Sequence, residues 1–265
     1  MSNDQVDIVN KDTMRKSVSH YSKYSELTRS ERAALDHLDG ESIASILDIG
    51  IGGGRTVDAL RQIGGEYIGI DYVQEMVDEC KRKFPGVHFE QGDARRLNFP
   101  DNRFQLVFFS LHGICMVDHE GRMQILKEVF RVLAPGGYFL FSTFNEDFTE
   151  HKKFFRFDDF HFSKNPLRLG VRILRYCYNS VLALLNRLRF RKYEIHTDEY
   201  AIVNDRCHNY ATMLYYITDA NQKKQLLSAG FDNDIVVFDA LGKRLEGSTP
   251  LDSLFYIARK PLSKE

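Results

Sequence analysis

Ser45-Ile46-Leu47-Asp48-Ile49-Gly50-Ile51-Gly52-Gly53-Gly54-Arg55-Thr56 runs from a short apolar segment through a carboxylate to four glycines within five residues, and a helical pattern follows. That order is a buried strand, a tight turn and the first turn of a helix. Glycine tolerates positive φ and lets a ligand approach the main chain, while amides at a helix start offer unpaired donors. The segment is therefore a ligand cradle. A dinucleotide site asks for G-x-G-x-x-G, but the third position is Arg55 counted from Gly50 and Val57 counted from Gly52. The glycines instead fall in the register Asp48-x-Gly50-x-Gly52-x-Gly54.

Working outward, Val57, Leu60 and Ile63 continue one helical stripe that Gly64-Gly65 ends. Tyr67 to Asp71 is a second short strand closing in an acid, 23 residues after Asp48. Doubly wound folds place a carboxylate against ribose hydroxyls near that offset. Val73, Met76, Cys80 and Phe84 form the next helical stripe, Val87-His88-Phe89 a third strand, and Asp93 lies just beyond it. Phe104 to Ser110 is apolar after Gln105, as a strand covered on both faces should be. Leu126, Val129, Phe130 and Leu133 mark another helix, followed by Pro135-Gly136-Gly137 and a fifth strand over Tyr138–Thr143.

From about Ile46 to Thr143 this pattern resembles the class I S-adenosylmethionine (SAM) dependent methyltransferases, with Gln105 departing from the acid often found there. The resemblance implies an α/β protein with a doubly wound, seven-stranded, mostly parallel Rossmann-like sheet, an N-terminal helical lid and a helical cap insertion. The corresponding boundaries are 1–40 for the lid, 41–146 for the SAM-binding core, 147–200 for the cap and 201–265 for completion of the sheet. It further implies SAM as cofactor, held by Asp48, Gly50, Gly52 and Gly54, by Asp71, Tyr72 and Met76, by Asp93 and Ala94, and by Ser110 and Leu111. Asp93 is expected to accept from the adenine amine. Ser17–Leu38 is expected to be helical, with a Thr28-x-x-Glu31 capping box opening its second part, and Tyr21, three residues from Tyr24 in the first part, is expected at the sulfonium or packed on the core.

Methyl transfer to a hydroxyl needs a base, and histidine titrates near working pH. His112, after the fourth strand, is the first candidate, with His208 and Tyr210 as the others. His119, His151, His161 and His196 have less to recommend them. An amine acceptor that is already neutral would need no base.

Between Phe144 and Tyr200 the pattern changes. Leu167, Val171, Leu174, Tyr178, Val181, Leu185 and Leu188 recur at alternating steps of four and three, so they share a helical face. Arg168, Arg172 and Arg175 run beside it, and Lys164 to Lys192 holds eight basic residues and no acid. Either the apolar side packs as a cap with arginines in water, or the helix docks an anionic substrate or a membrane surface. These arginines are candidate substrate contacts, and the resemblance adds Tyr215, in the aromatic segment before the terminal strands, a region that often faces the acceptor in methyltransferases of small molecules. The closing elements are a helix over Asp219–Gly230 and strands over Ile235–Phe238 and Leu254–Ala258.

Thirty-six basic against 37 acidic residues give a net charge of −1, which favours neither nucleic acid nor an anionic membrane globally. Ser110–Gly113 is also not the Asn/Asp-Pro-Pro-Tyr/Phe type that acts on base amines. Four scattered cysteines suggest reduced thiols of a cytoplasmic protein and no metal site. Residues 1 to about 15 are polar, without an apolar leader, and are expected to be loosely ordered; no run is long enough to span a bilayer. The sequence thus points to a methyltransferase for a small-molecule hydroxyl or amine, an anionic or lipid-linked acceptor included. A non-catalytic SAM-binding regulator and, behind it, a nicotinamide oxidoreductase are the alternatives.

Overall fold

The computed structural model describes residues 4–148 and 162–262. Three helices come first, α1 (Asp4–Lys16), α2 (Val18–Tyr21) and α3 (Arg29–His37). The strand-helix units follow as β1 (Ser45–Ile49), α4 (Val57–Ile63), β2 (Glu66–Asp71), α5 (Gln74–Lys83), β3 (His88–Gln91), β4 (Phe104–Phe109), α6 (His119–Val132) and β5 (Leu133–Asn145). Then come α7 (Pro166–Phe190), β6 (Ile195–His196), β7 (Ala201–Asp205), β8 (Thr212–Ile217), α8 (Asp219–Ala229), β9 (Val236–Asp239) and β10 (Ser253–Arg259).

The expected doubly wound sheet is present. Strands β3-β2-β1-β4-β5 lie side by side in parallel, and β10 and β9 complete it antiparallel beyond β5. Side chains alternate across it. Ile46, Leu106, Phe108 and Leu140 enter the core on one face, while Leu47, Ile49, Val107, Phe109, Phe139 and Phe141 enter the core on the other. The strand count differs from seven: ten strands are present among the described residues, because β6, β7 and β8 form an antiparallel extension. β8 pairs with Phe144 and Asn145, beyond the point where β4 leaves β5, so the extension grows from the carboxyl edge of the sheet.

The N-terminus also differs from the expectation of loose order. α1 is a formed helix clamped by buried Asn10, whose amide donates to the Met116 and Met213 carbonyls at 2.7 Å and accepts from the Met213 amide at 2.9 Å. The helical stretch expected over Ser17–Leu38 is present in two parts, α2 and α3, with a break after Tyr21 that leaves Tyr24 outside both. The Thr28/Glu31 capping box opens the second, α3, as its spacing indicates.

α7 departs furthest from a packed cap. Its apolar stripe faces outward, and of its side chains only Phe190 is buried. All four cysteines are free thiols, Cys80 and Cys115 buried, Cys177 and Cys207 exposed. No described helix is long and apolar enough to cross a membrane, and the described residues hold no cluster of metal-ligating side chains.

Candidate active site

A cavity of about 250 Å³ opens at the carboxyl ends of β1, β2 and β4, under α1 and α2. Its floor is the glycine turn. Gly52 takes φ +52° with open space where a Cβ would stand, and its amide donates to Asp71 Oδ2 at 3.0 Å. Gly53 is needed for another reason: a Cβ there would come within 2.5 Å of the Tyr21 carbonyl oxygen, so the backbone at the end of α2 rests directly on this residue. Asp71 also accepts from the Val73 amide at 2.9 Å, and burial pushes its carboxyl up to about 6.

The cavity gathers Tyr21, Gly50, Gly52, Asp71, Tyr72, Met76, Asp93, Ala94, Ser110 and Leu111 into its lining. Two other candidates lie behind it. Gly54 packs toward Phe84 and Cys80, and its φ of +83° turns the chain into α4. Asp48 is fully buried: Thr56 Oγ1 donates to it at 2.5 Å and Tyr67 Oη at 2.8 Å, and desolvation raises its carboxyl to about 7. Its place is to bolt the turn to β1 and β2.

Asp93 lines the cavity with both oxygens engaged by Arg95, at distances down to 2.6 Å. Burial works to raise its pKa, but the Arg95 guanidinium prevails and holds it below the usual carboxylate range. Arg95 also pairs with Asp7 of α1. Here burial outweighs the arginine and raises Asp7.

The candidate bases separate. His112 does not line the cavity, although Leu111 and Gly113 on either side do. Its backbone is left-handed, its ring stacks on Phe144 at 4.0 Å, and burial lowers its pKa to about 4. Its Nε2 is enclosed and has no hydrogen-bond partner among the described residues. Tyr210 is buried under Arg187, outside the lining. His208 stands just behind the wall. Its Nε2 meets Tyr21 Oη at 3.2 Å and its Nδ1 meets Ser17 Oγ at 3.3 Å, with burial first and then His20 lowering its pKa.

Among the candidate substrate contacts, Tyr215 is fully buried. Its hydroxyl is shared with His119 Nδ1 at 2.8 Å and Gln225 Nε2 at 2.9 Å, and its ring lies under Arg122, so it belongs to the core. Arg168, Arg172 and Arg175 sit on exposed α7, away from the cavity lining. His196 forms part of β6, while His151 and His161 lie outside the described residues.

Several lining residues leave no mark in the sequence pattern. Asp7, Ile8, Lys11 and Met14 come from α1. Arg55 makes a buried bidentate pair with Glu31 at 2.6 and 2.7 Å, and donates to the Glu26 carbonyl and Ser110 Oγ. Glu31 is the same side chain that closes the capping box by accepting from the Thr28 amide at 2.7 Å. No sequence pattern marks that clamp, because the two partners are 24 residues apart.

Residues 46–137 match the methyltransferase domain family. A demethylmenaquinone methyltransferase of Chlorobaculum parvum is 32% identical over 107 residues, covering 40% of this chain and 43% of the relative. A fatty-acid O-methyltransferase of Mycolicibacterium smegmatis is 34% identical over 124 residues, covering 45% and 43%. The chain thus spans under half the length of these relatives. The Burkholderia thailandensis 1,6-didemethyltoxoflavin-N1-methyltransferase, solved with S-adenosylhomocysteine, shares the fold at TM-score 0.60 and 14% identity, over 98% of this chain and 91% of that one.

Proposed function

We propose that this chain, with a methyltransferase domain across residues 46–137, moves the methyl group of SAM to a hydroxyl of a small-molecule acceptor. The observation that carries the reading is one cavity that joins the glycine turn, Asp71 and Asp93. Two enclosed polar atoms of lining residues, Tyr72 Oη and Asp7 Oδ1, have no protein partner among the described residues. Buried polar atoms are rarely left unpaired, so they suit a polar ligand. SAM supplies an electrophilic methyl on a sulfonium sulfur. Asp71 would hold the ribose hydroxyls, Tyr72, Asp93 and Ala94 would surround the base, and the turn at Gly50–Gly53 would receive the amino-acid end.

The proton of the acceptor has a route. Ser17 Oγ spends its single hydrogen on the Thr13 carbonyl at 2.8 Å, so His208 Nδ1 must donate to Ser17. That tautomer leaves Nε2 with a lone pair for the Tyr21 hydroxyl. Burial pushes the Tyr21 phenol up to about 12, so it stays protonated and passes a proton inward as it takes one from the cavity. Tyr21 and His208 thus act as a relay, and the enclosed His112 is left out of it. The names of the fatty-acid and malonyl-acyl-carrier-protein O-methyltransferase relatives support oxygen as the acceptor atom and a lipidic acceptor.

Calorimetric titration with SAM and S-adenosylhomocysteine tests the cofactor, with Asp71→Ala expected to weaken binding ~10-fold or more. Absence of binding by the native chain rejects the reading. A screen of hydroxyl acceptors for S-adenosylhomocysteine release tests the reaction, and binding without turnover on any acceptor would favour a regulatory SAM-binding protein instead.

A further inference from the structure

The apolar stripe of α7 lies in water. Leu167, Val171, Leu174, Tyr178, Val181 and Leu188 are between 59% and 82% exposed. A helix of 25 residues with such a face is rarely left uncovered, and its length of roughly 37 Å would lie flat on a surface. The charge pattern says which surface. Arg168, Arg175 and Arg189 each follow directly after a stripe residue, Leu167, Leu174 and Leu188. A second copy could use the alternating spacing as a seam, but its facing helix has no acid between residues 164 and 192 to receive these arginines. An anionic lipid surface satisfies both halves, taking the stripe at the acyl boundary and the guanidinium groups on its phosphates.

We propose that α7 docks the protein on an anionic lipid bilayer, lying in the interface without crossing it. The helix is tied to the body at its far end. Asn186 Nδ2 donates to the Asn209 carbonyl at 2.9 Å, and Arg187 Nη1 to the Asn204 carbonyl at 3.0 Å. Asn209 neighbours His208, which bonds to Tyr21 at the cavity wall, so the docked helix is joined to the site through one short turn. This inference does not depend on the methyltransferase reading, because vesicle binding is read without cofactor or acceptor.

The test is co-sedimentation of the full chain with phosphatidylcholine vesicles, with and without phosphatidylglycerol. Binding at least ~10-fold tighter to the anionic vesicles, weakening at high salt, is expected. Leu174→Glu with Val181→Glu should abolish sedimentation without changing SAM affinity. Arg168→Glu with Arg175→Glu, which leaves the apolar stripe residues in place, should erase the preference for anionic vesicles. Equal binding to both vesicle types overturns the proposal, as does undiminished binding by either pair. Sedimentation velocity showing a dimer that the Leu174/Val181 pair dissociates would assign the stripe to a second copy and also overturn it.

Discussion

Asp48 has no exposed surface and still carries a titratable carboxyl, which gives the protein a pH signature. Its folded pKa, about 7, lies above the ordinary 3.8, so the folded state holds the proton more tightly than the unfolded chain. Stability from this group is therefore greatest at low pH and falls as pH rises from 3.8 through about 7, by up to about 4 kcal/mol. Asp71 contributes the same sign, complete by about 6. Asp48→Asn should flatten its share of that slope, as read by urea unfolding at mildly acidic and at alkaline pH; an unchanged slope would remove Asp48 as the cause. For the relay, Tyr21→Phe should lower kcat ~100-fold while SAM affinity changes little. Its pH profile follows from His208, which burial holds below the ordinary 6.5. The rate should be flat above neutrality and fall only as pH drops through that lowered value, and His208→Gln should lose this acid limb. The acids at the strand ends were legible because their spacing is fixed by strand-turn-helix geometry. The orientation of His112 was not, since two successive left-handed residues, Leu111 and His112, turn its ring from the cavity to Phe144.

At the level of elements, helices with apolar stripes and strands with continuous apolar runs are legible in the sequence, whereas α1 and the β7–β8 hairpin are not. α1 docks through the amide of Asn10 and the hydroxyl of Thr13, which donates to the Ala211 carbonyl at 2.7 Å. Hydrogen bonds to distant backbone leave no periodic trace. Asn10→Ala should remove three hydrogen bonds to backbone groups, loosen α1 by ~2–4 kcal/mol and weaken SAM binding about 10-fold or more. Faster trypsin cleavage at Lys11 and Arg15 with an unchanged global melt is the matching readout. The hairpin hides for a different reason. His208, Asn209 and Tyr210 all adopt positive φ without a glycine or proline, so the usual punctuation of a turn is absent. Asn204 holds that turn by donating to the Tyr210 carbonyl at 2.8 Å.

Across the whole molecule, the parallel sheet and its order follow from units that are local in sequence, each a strand, a turn and a helix. What lies over the site depends on long-range pairing: α1 with β8, β8 with the end of β5, and α3 with the glycine turn through Glu31 and Arg55. The cover should accordingly be the less stable layer. Hydrogen exchange is expected to slow on SAM binding over 4–16 and 110–117, to change little in β1 and β4, and to remain fast in the exposed part of α7. Protection spreading evenly over the sheet would contradict this layering.

Cys177 sits midway along α7 as a free, exposed thiol, and replacing exposed Cys207 by serine would leave it as the accessible one among the described residues. A nitroxide attached there becomes a depth gauge. Its spectrum, broadened selectively by oxygen dissolved in the hydrocarbon or by a water-borne nickel chelate, would report directly how far that stretch of helix sinks.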